Sequence, residues 1–256
     1  MEQMASRDVY NQVTMLGSSG SVQERGTIED SAYLKVAYEF IHVKMVDATY
    51  ELLKGGGLAI EIGGAGYPIK SDKFIVFTSD VRPDPHLAIQ AGAENLPFTD
   101  SSIDALLLKD SLHHVPDPIG FFREALRVLR PGGVVTCVEP YWGPFAQVLY
   151  RCFHPEPFDN TRDSWGFHAT EPSDSNQAFL QILLRRDREI FLETFKHLAI
   201  IEHGPLLGPS YALSGGLAHR SFIPESFLLR LFQFELSTEW WQKYFALAFL
   251  VSFQKL

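Results

Sequence analysis

The sequence is short of cysteine, and this shortage excludes a disulfide scaffold. Only Cys137 and Cys152 occur in 256 residues, and they lack the spacing of a metal-binding set. Cys137 lies in an apolar run, where a reduced thiol in the core is expected. The chain is therefore expected to work in a reducing compartment, which favours the cytoplasm.

Clustered basic charge and long hydrophobic runs are also missing. Lys and Arg total 22 against 31 Asp and Glu, and the net charge of −9 argues against binding to nucleic acid or an anionic membrane, since both need clustered cations. The longest apolar run, residues 245–251, is far shorter than the roughly 20 residues of a membrane helix. Residues 1–21 lack the apolar core of a signal peptide. We expect no nucleic-acid partner, no membrane insertion and a small or uncharged substrate.

What the sequence does contain is an alternation of short apolar runs and helical patterns. Strands are predicted at residues 58–62, 74–81, 87–90, 103–109, 134–138, 198–201 and 246–253. Helical spacing is found at residues 29–53, 118–129, 174–195 and 223–245, whereas residues 141–172 have no clean period and are predicted to be a loop-rich insertion. The alternation predicts a single doubly wound α/β sheet.

The connections between the predicted elements differ in length. Residues 67–73 and 82–86 leave little room for a crossover helix, so the helices after the first two strands are expected to be truncated or missing. After the fourth strand, Asp117 can cap a helix that has Pro118 at its first position, and residues 131–133, Pro-Gly-Gly, are predicted to end it.

A glycine-rich stretch follows the first predicted strand. The apolar run that begins at Gly57 ends in Glu61 and then in Gly63, Gly64, Ala65 and Gly66. Glycine allows a positive φ and a close approach of the backbone to a ligand. The stretch therefore indicates a cofactor site at the carboxyl end of this strand.

Several motifs appear in order along the chain and together resemble the class I S-adenosylmethionine-dependent methyltransferase family. They are residues 61–66 (EIGGAG), Asp80, residues 93–98 (AENLPF), residues 112–118 (LHHVPDP) and residues 128–133 (VLRPGG). Residues 61–70, 78–81, 139–141, 154–159 and 213–216 are similar to a bacterial small-molecule branch with a methyltransferase-11-like motif set. The resemblance covers roughly residues 55–145.

This resemblance implies a Rossmann-like, mainly parallel seven-stranded sheet with an antiparallel last strand. Within a single domain, we expect an N-terminal helical cap, a cofactor-binding core, an insertion with a helix, and C-terminal strands with substrate-side elements, at residues 1–54, 55–140, 141–196 and 197–256. Residues 1–28 are predicted to form an arm or a lid over the site. Residues 1–50, 141–172 and 204–222 are expected to close over the site and set its specificity.

The resemblance also implies how S-adenosylmethionine, and its product S-adenosylhomocysteine, would be held. Glu61 would bind the α-amino group, and Asp80 would accept both ribose hydroxyls. The alternative structural roles are a helix cap for Glu61 and a turn former for Asp80. The remaining cofactor residues implied by the resemblance are Gly63, Gly64, Ala65 and Gly66 along the turn, Val81 after Asp80, Ala93 and Glu94 near the adenine, Lys109 with its backbone at the methionine part, Asp110 beside it at the end of the fourth strand, and His113.

Three positions depart from the family pattern. Gly92 stands where the family has an Asp that accepts the adenine amino group, so adenine recognition falls to the backbone, Glu94 or water. Ala65 and Tyr67 stand where the family commonly has glycine.

Methyl transfer from a sulfonium mainly requires alignment and desolvation, and a hydroxyl acceptor also requires removal of its proton. The candidate bases are His113, His114 and Glu139, each weighed against a structural role. Tyr141, His154 and Glu156 are candidate substrate contacts. No metal-ligand set with usable spacing is visible, so no metal is predicted.

The expected function is methyl transfer to a small-molecule acceptor, most simply a hydroxyl of a sugar or other bacterial metabolite. The alternatives are an N- or C-methyltransferase of a small metabolite, a non-catalytic or regulatory homologue that binds the cofactor, and a nicotinamide dehydrogenase. The last needs G-x-G-x-x-G before a long helix, but the frame from Gly64 ends on Ile69. The oligomeric state, monomer or homodimer, is left open.

Overall fold

A seven-stranded sheet forms the centre of the computed structural model, which describes residues 24–85, 87–170, 174–217 and 221–256. The strand order is β3-β2-β1-β4-β5-β7-β6. The strands are β1 Gly57–Ile62, β2 Phe74–Asp80, β3 Ile89–Gln90, β4 Ile103–Lys109, β5 Leu129–Pro140, β6 Leu198–Leu206 and β7 Ala248–Lys255.

The pairing of the strands confirms the predicted α/β architecture. β1 is parallel to β2 and β4, β2 to β3, and β4 to β5, whereas β7 is antiparallel to both β5 and β6. The last strand is therefore the antiparallel one. No helix occurs among the described residues between β1 and β2 or between β2 and β3, in agreement with the short connections.

Helices cover both faces of the sheet. They are α1 Ala32–Leu53, α2 Pro118–Val128, α3 Pro144–Phe153, α4 Phe179–Gln181, α5 Arg188–Thr194, α6 Pro209–Leu213, α7 Glu225–Leu236 and α8 Glu239–Phe245, and a further helical segment spans residues 24–30. In the parts of the chain that the structure describes, no helix is long and apolar enough to cross a membrane.

Capping side chains set the starts of α1 and α2. The Ser31 hydroxyl accepts a hydrogen bond from the amide of Leu34, and the Asp117 carboxylate accepts one from the amide of Gly120, with Pro118 at the first helical position. The prediction for the end of α2 was wrong. The helix ends at Val128 because Leu129 already pairs with Ile103 of β4, and residues 131–133 lie within β5 at a register shift that precedes the pairing of Val134 with Ala105.

Two other predicted segments differ from the structure. The insertion at residues 141–172, predicted to be loop-rich, contains α3. The many aromatic residues and prolines around this helix obscure its apolar period in the sequence. The single helix predicted at residues 174–195 is broken into α4, a π-helical turn at Ile182–Arg186, and α5. Within that turn the Asp187 amide donates to the Ile182 carbonyl, five residues back.

The sheet separates two hydrophobic cores. Ala59 and Leu107 face α1 and α7, whereas Ile60, Leu106 and Cys137 face α2 and the π-helical turn. Side chains alternate between the two faces of the sheet along each strand. Residues at the strand ends therefore lie at the same edge of the sheet but on one face or the other. This alternation divides the polar residues of that edge into two groups.

Candidate functional site

The carboxyl ends of the parallel strands meet at one edge of the sheet. Glu61 lies near the end of β1, Asp80 ends β2, Lys109 ends β4, and Glu139 lies near the end of β5. By the alternation along their strands, Glu61 and Lys109 lie on the face covered by α1, and Glu139 lies on the face covered by α2. We call Glu61 and Asp80 the strand-end pair.

Glu61 is almost completely buried, at 1% exposure. Its Oε2 accepts a hydrogen bond of 2.9 Å from the amide of Ile69. Its Oε1 has no hydrogen-bond partner among the described residues, and the Lys109 ammonium lies 3.8 Å from it. Burial raises the pKa of Glu61, and the charge of Lys109 opposes that rise.

The side chain of Lys109 lies in an aromatic pocket below Glu61. Its Nζ donates to the Tyr67 carbonyl at 2.7 Å, lies 3.0 Å from Nε2 of His42, and sits 5.2 Å from the centre of the Tyr38 ring. Burial, and to a smaller extent the charge of Lys109, lowers the pKa of His42 to about 2. His42 is therefore neutral, and its Nε2 accepts the hydrogen bond from Lys109. The sequence predicted a role for the backbone of Lys109. It gave no signal for this side-chain contact, because His42 is 67 residues away along the chain.

Asp80, at 3% exposure, is held by the residue two positions later. Its Oδ1 accepts from the amide and Nε of Arg82, at 2.8 and 3.3 Å, and its Oδ2 accepts from Nη2 of Arg82 at 3.2 Å and from the amide of Ala65 at 3.2 Å. Arg82 also lies 3.6 Å from Glu24. Each acid of the strand-end pair is therefore next to a cation of the same chain.

The glycine turn between β1 and β2 has the backbone conformation that glycine favours. Gly63 has a φ of +75° and Gly66 a φ of +118°, and the amide of Gly64 donates to the Ser79 carbonyl at 3.0 Å. The carbonyl of Gly66 accepts a 2.7 Å hydrogen bond from Nε of Arg25. Of the arm predicted at residues 1–28, residues 1–23 lie outside the described residues, and Arg25 contacts the turn.

The other predicted cofactor residues are spread around this turn. Val81 is exposed, Ala93 is buried in the core under β1 and β4, and Glu94 is half-buried with its carboxylate 3.5 Å from the position that a Cβ would take at Gly92. Asp110 is exposed, has a φ of 49°, and donates its amide to the Val138 carbonyl at 2.8 Å.

On the opposite face, Glu139 holds the short 3₁₀ turn that follows β4. Its carboxylate is fully buried and accepts from the amides of Ser111, Leu112 and His113 at 3.0, 2.8 and 3.2 Å. It also contacts Nδ1 of His113 at 2.6 Å. Each carboxylate oxygen of Glu139 therefore makes two hydrogen bonds to residues 111–113 of this turn.

His113 connects Glu139 to a carboxylate from the insertion. Its Nε2 lies 3.4 Å from Oε2 of Glu156. Burial alone would lower the pKa of His113, but the charges and hydrogen bonds of Glu139 and Glu156 outweigh it and raise the pKa to about 10. Burial acts against ionisation of Glu156, yet His113 brings its pKa down to about 2. We call His113, His114, Glu139 and Glu156 the histidine cluster.

Two residues that the sequence did not indicate complete this cluster. Oε2 of Glu156 accepts from Oγ of Ser175 at 2.9 Å and from Nε2 of Gln177 at 2.5 Å. His114 lies 3.8 Å from the same oxygen through Nε2. Ser175 and Gln177 belong to no motif, and only the fold of the insertion places them here.

The predicted substrate contacts do not all reach the histidine cluster. Glu156 belongs to it, and Nδ1 of His154 accepts from the amide of Glu156 at 3.2 Å. Tyr141 instead donates its hydroxyl to the Lys243 carbonyl at 3.3 Å and stacks on Phe249, with 5.5 Å between ring centres.

Comparison with known proteins places a family match across part of this core. Residues 71–137 match the family described as methyltransferase domain. An uncharacterised methyltransferase of Mycobacterium sp. (strain KMS) is 32% identical over 117 residues, covering 38% of this chain and 45% of that protein. The ubiquinone/menaquinone biosynthesis C-methyltransferase UbiE of Bartonella henselae is 38% identical over 81 residues, covering 32% of this chain and 27% of that protein. The chain thus spans less than half the length of these curated relatives.

Among solved structures, an S-adenosylmethionine-dependent methyltransferase from Aquifex aeolicus aligns with 83% of this chain and 89% of its own, at 13% identity and a TM-score of 0.43. A likeness at that level adds nothing to the strand order described above.

Proposed function

We propose that this chain, which carries a methyltransferase domain of the class I S-adenosylmethionine-dependent family, transfers a methyl group from S-adenosylmethionine to a small-molecule acceptor. The observation that carries the proposal is the strand-end pair. Two buried carboxylates end adjacent parallel strands on either side of a glycine turn with positive φ. That arrangement suits an amino-acid head group and a ribose.

The chemistry of the strand-end pair fits this cofactor. Oε1 of Glu61 is a buried acceptor with no hydrogen-bond partner among the described residues, and a cationic α-amino group would supply one. Asp80 offers two oxygens to a pair of ribose hydroxyls once Arg82 leaves them. When bound, S-adenosylmethionine supplies a methyl group on an already activated sulfonium.

The chain's own contribution to the reaction is to position the acceptor, exclude water and take up a proton. Within the histidine cluster, Glu139 is occupied by the 3₁₀ turn and His113 is held between the carboxylates of Glu139 and Glu156, so both position rather than act as a base. His114, whose pKa is lowered by burial and by the charge of His113, is the group left to accept a proton from a hydroxyl, and Glu156 faces it at 3.8 Å. We propose that residues 141–196 build the acceptor side, because they supply Glu156 and Gln177.

The expected acceptor is a hydroxyl of a sugar or another bacterial metabolite. A carbon acceptor is the second candidate, because the name of the Bartonella relative describes a C-methyltransferase. We place the chain in the cytoplasm on the ground that both of its cysteines are free thiols.

A non-catalytic role is the third candidate, since Lys109 and Arg82 already neutralise the strand-end pair. Calorimetry with S-adenosylhomocysteine, run in parallel with NADH, separates the candidates. The proposal expects saturable binding of S-adenosylhomocysteine alone. Binding of neither ligand would favour the non-catalytic role, and binding of NADH alone would favour a dehydrogenase.

A further inference from the structure

Three side chains of the histidine cluster bring potential metal ligands to one point. Nε2 of His113 and Nε2 of His114 lie 3.4 and 3.8 Å from Oε2 of Glu156, and the three atoms all lie within 4.8 Å of one another. Ligands about 2.1 Å from a tetrahedral zinc ion are separated by roughly 3.4 Å, so small side-chain movements would complete such a set.

Both imidazoles are oriented with Nε2 towards Glu156 by a hydrogen bond at the opposite nitrogen. Nδ1 of His113 contacts the Glu139 carboxylate at 2.6 Å, and Nδ1 of His114 contacts the Asp174 carbonyl at 3.2 Å. A carboxylate or carbonyl on the far nitrogen of a histidine is the arrangement that fixes metal-binding histidines and makes them more basic.

The surroundings of Glu156 extend this support. Ser175 and Gln177 donate to its Oε2, which holds the carboxylate in place and leaves its other oxygen as a second possible ligand atom. Oε1 of Gln177 is buried and has no hydrogen-bond partner among the described residues. A water molecule or hydroxyl on a metal at this point would offer it a hydrogen bond.

We propose that His113, His114 and Glu156 bind one divalent first-row transition-metal ion, which displaces the proton on Nε2 of His113 to water. Two imidazoles and one carboxylate suit zinc, iron, cobalt or nickel better than magnesium or calcium, which take oxygen ligands. The metal site would belong to the proposed methyltransferase site, and its role in catalysis rests on that proposed function. An acceptor hydroxyl on the open face of the metal would lose its proton more readily, and with His114 and Glu156 engaged as ligands that proton would pass to solvent water.

Metal binding by the full chain is the test. Purified protein, with any histidine tag removed, is treated with a chelator, and Co²⁺ is added while visible absorption and calorimetric heat are recorded. We expect one Co²⁺ per chain, with a ligand-field absorption band, and displacement of Co²⁺ by one equivalent of Zn²⁺. The variants His114→Ala and Glu156→Gln should each weaken Co²⁺ binding at least tenfold.

His168→Ala is the matched control, because this histidine belongs to a loop of the same insertion and is not part of the cluster. It should bind Co²⁺ as the unmodified chain does. Thermal unfolding of each variant in chelator shows whether the fold is retained. The proposal is overturned if the unmodified chain binds no Co²⁺, or if folded His114→Ala and Glu156→Gln bind it unchanged.

The metal proposal and the proposed function can fail separately. Calorimetry with S-adenosylhomocysteine is repeated on the chelated protein. Binding of S-adenosylhomocysteine without Co²⁺ binding would overturn the metal site and leave the methyltransferase assignment standing, whereas Co²⁺ binding without S-adenosylhomocysteine binding would support the metal site and overturn the methyltransferase assignment.

Discussion

The strand-end pair and the histidine cluster both contain buried carboxylates at the same edge of one sheet, yet they are held in different ways. Asp80 accepts from two backbone amides, of Arg82 and Ala65, and twice from the partly exposed side chain of Arg82, and Oε1 of Glu61 faces the Lys109 ammonium at 3.8 Å. Glu139 is held by three backbone amides and by His113 at 2.6 Å.

This difference indicates which group a ligand can rearrange. The Arg82 side chain is 28% exposed and can move out into water, whereas the Asp80 carboxylate is buried and needs another donor, such as a pair of ribose hydroxyls, in its place. A carboxylate buried among amides cannot leave them without stranding several donors. We therefore interpret the strand-end pair as an adaptable binding site and the histidine cluster as a fixed framework.

The largest expected effect is on the framework. Glu139→Gln removes the charge that faces the His113 imidazolium and reduces the acceptors for the 3₁₀ turn, so the free energy of unfolding should fall by about 3–5 kcal/mol. Urea denaturation measures this change. Glu202→Gln is the control, because Glu202 pairs with Arg185 and Arg188 at the surface, and it should cost less than about 1 kcal/mol. Equal losses for the two variants would remove the distinction between framework and surface pairs.

The framework should also impose a pH dependence on stability. The pKa of His113 is raised from 6.5 to about 10, so its stabilising contribution is fully present below pH 6.5 and is lost as the pH rises to about 10. Within that window the free energy of unfolding should fall by up to about 1.4 kcal/mol per pH unit. Urea denaturation in chelator from pH 6.5 to 10.5 measures the slope, and His113→Gln should flatten it. The same slope in both proteins would show that His113 is not charged in the folded state.

The sequence predicted the strand-end pair better than the histidine cluster, for a physical reason. A strand, an acid and a glycine turn are adjacent in the chain, and Asp80 ends the next strand, so local patterns determine their positions. The histidine cluster needs Glu156 and Gln177, which reach His113 across 43 and 64 residues through an insertion with no clear period. Only the 112–118 motif gave a local signal for that cluster.

The sequence also gave no signal for the side-chain partners of the strand-end pair. The pairing of Lys109 with Glu61 depends on the register of β1 against β4, and its contact with His42 depends on the packing of α1. The predicted element boundary failed at residues 131–133, whose proline and glycines are typical of a helix end. They lie in β5 at a register shift, between the paired residues Leu129 and Val134.

A smaller effect is expected from removing one member of the strand-end pair. Asp80→Ala should weaken binding of S-adenosylhomocysteine by about 1–3 kcal/mol, because the ribose hydroxyls lose a charged acceptor. Calorimetry measures the change. Asp100→Ala, at an exposed carboxylate that pairs with Arg127, should leave the affinity unchanged. An unaltered dissociation constant in Asp80→Ala would contradict the ribose assignment.

The smallest expected effect has the opposite sign. Arg82→Ala frees Asp80 from its internal partner, so S-adenosylhomocysteine should bind more tightly, by less than about 1 kcal/mol. The same calorimetric titration measures it. Weaker binding in this variant would mean that Arg82 contacts the cofactor, and the strand-end pair would then not be a site that its own cation blocks.

The most direct test of the contrast between the two groups is a crystal structure of the chain with S-adenosylhomocysteine. We expect the α-amino group to lie on Glu61 and the ribose on Asp80, with Arg82 displaced, while Glu139 keeps its contacts to His113 and to the amides of the 3₁₀ turn. S-adenosylhomocysteine bound elsewhere, or bound with the Arg82–Asp80 pair intact and the histidine cluster rearranged, would contradict it.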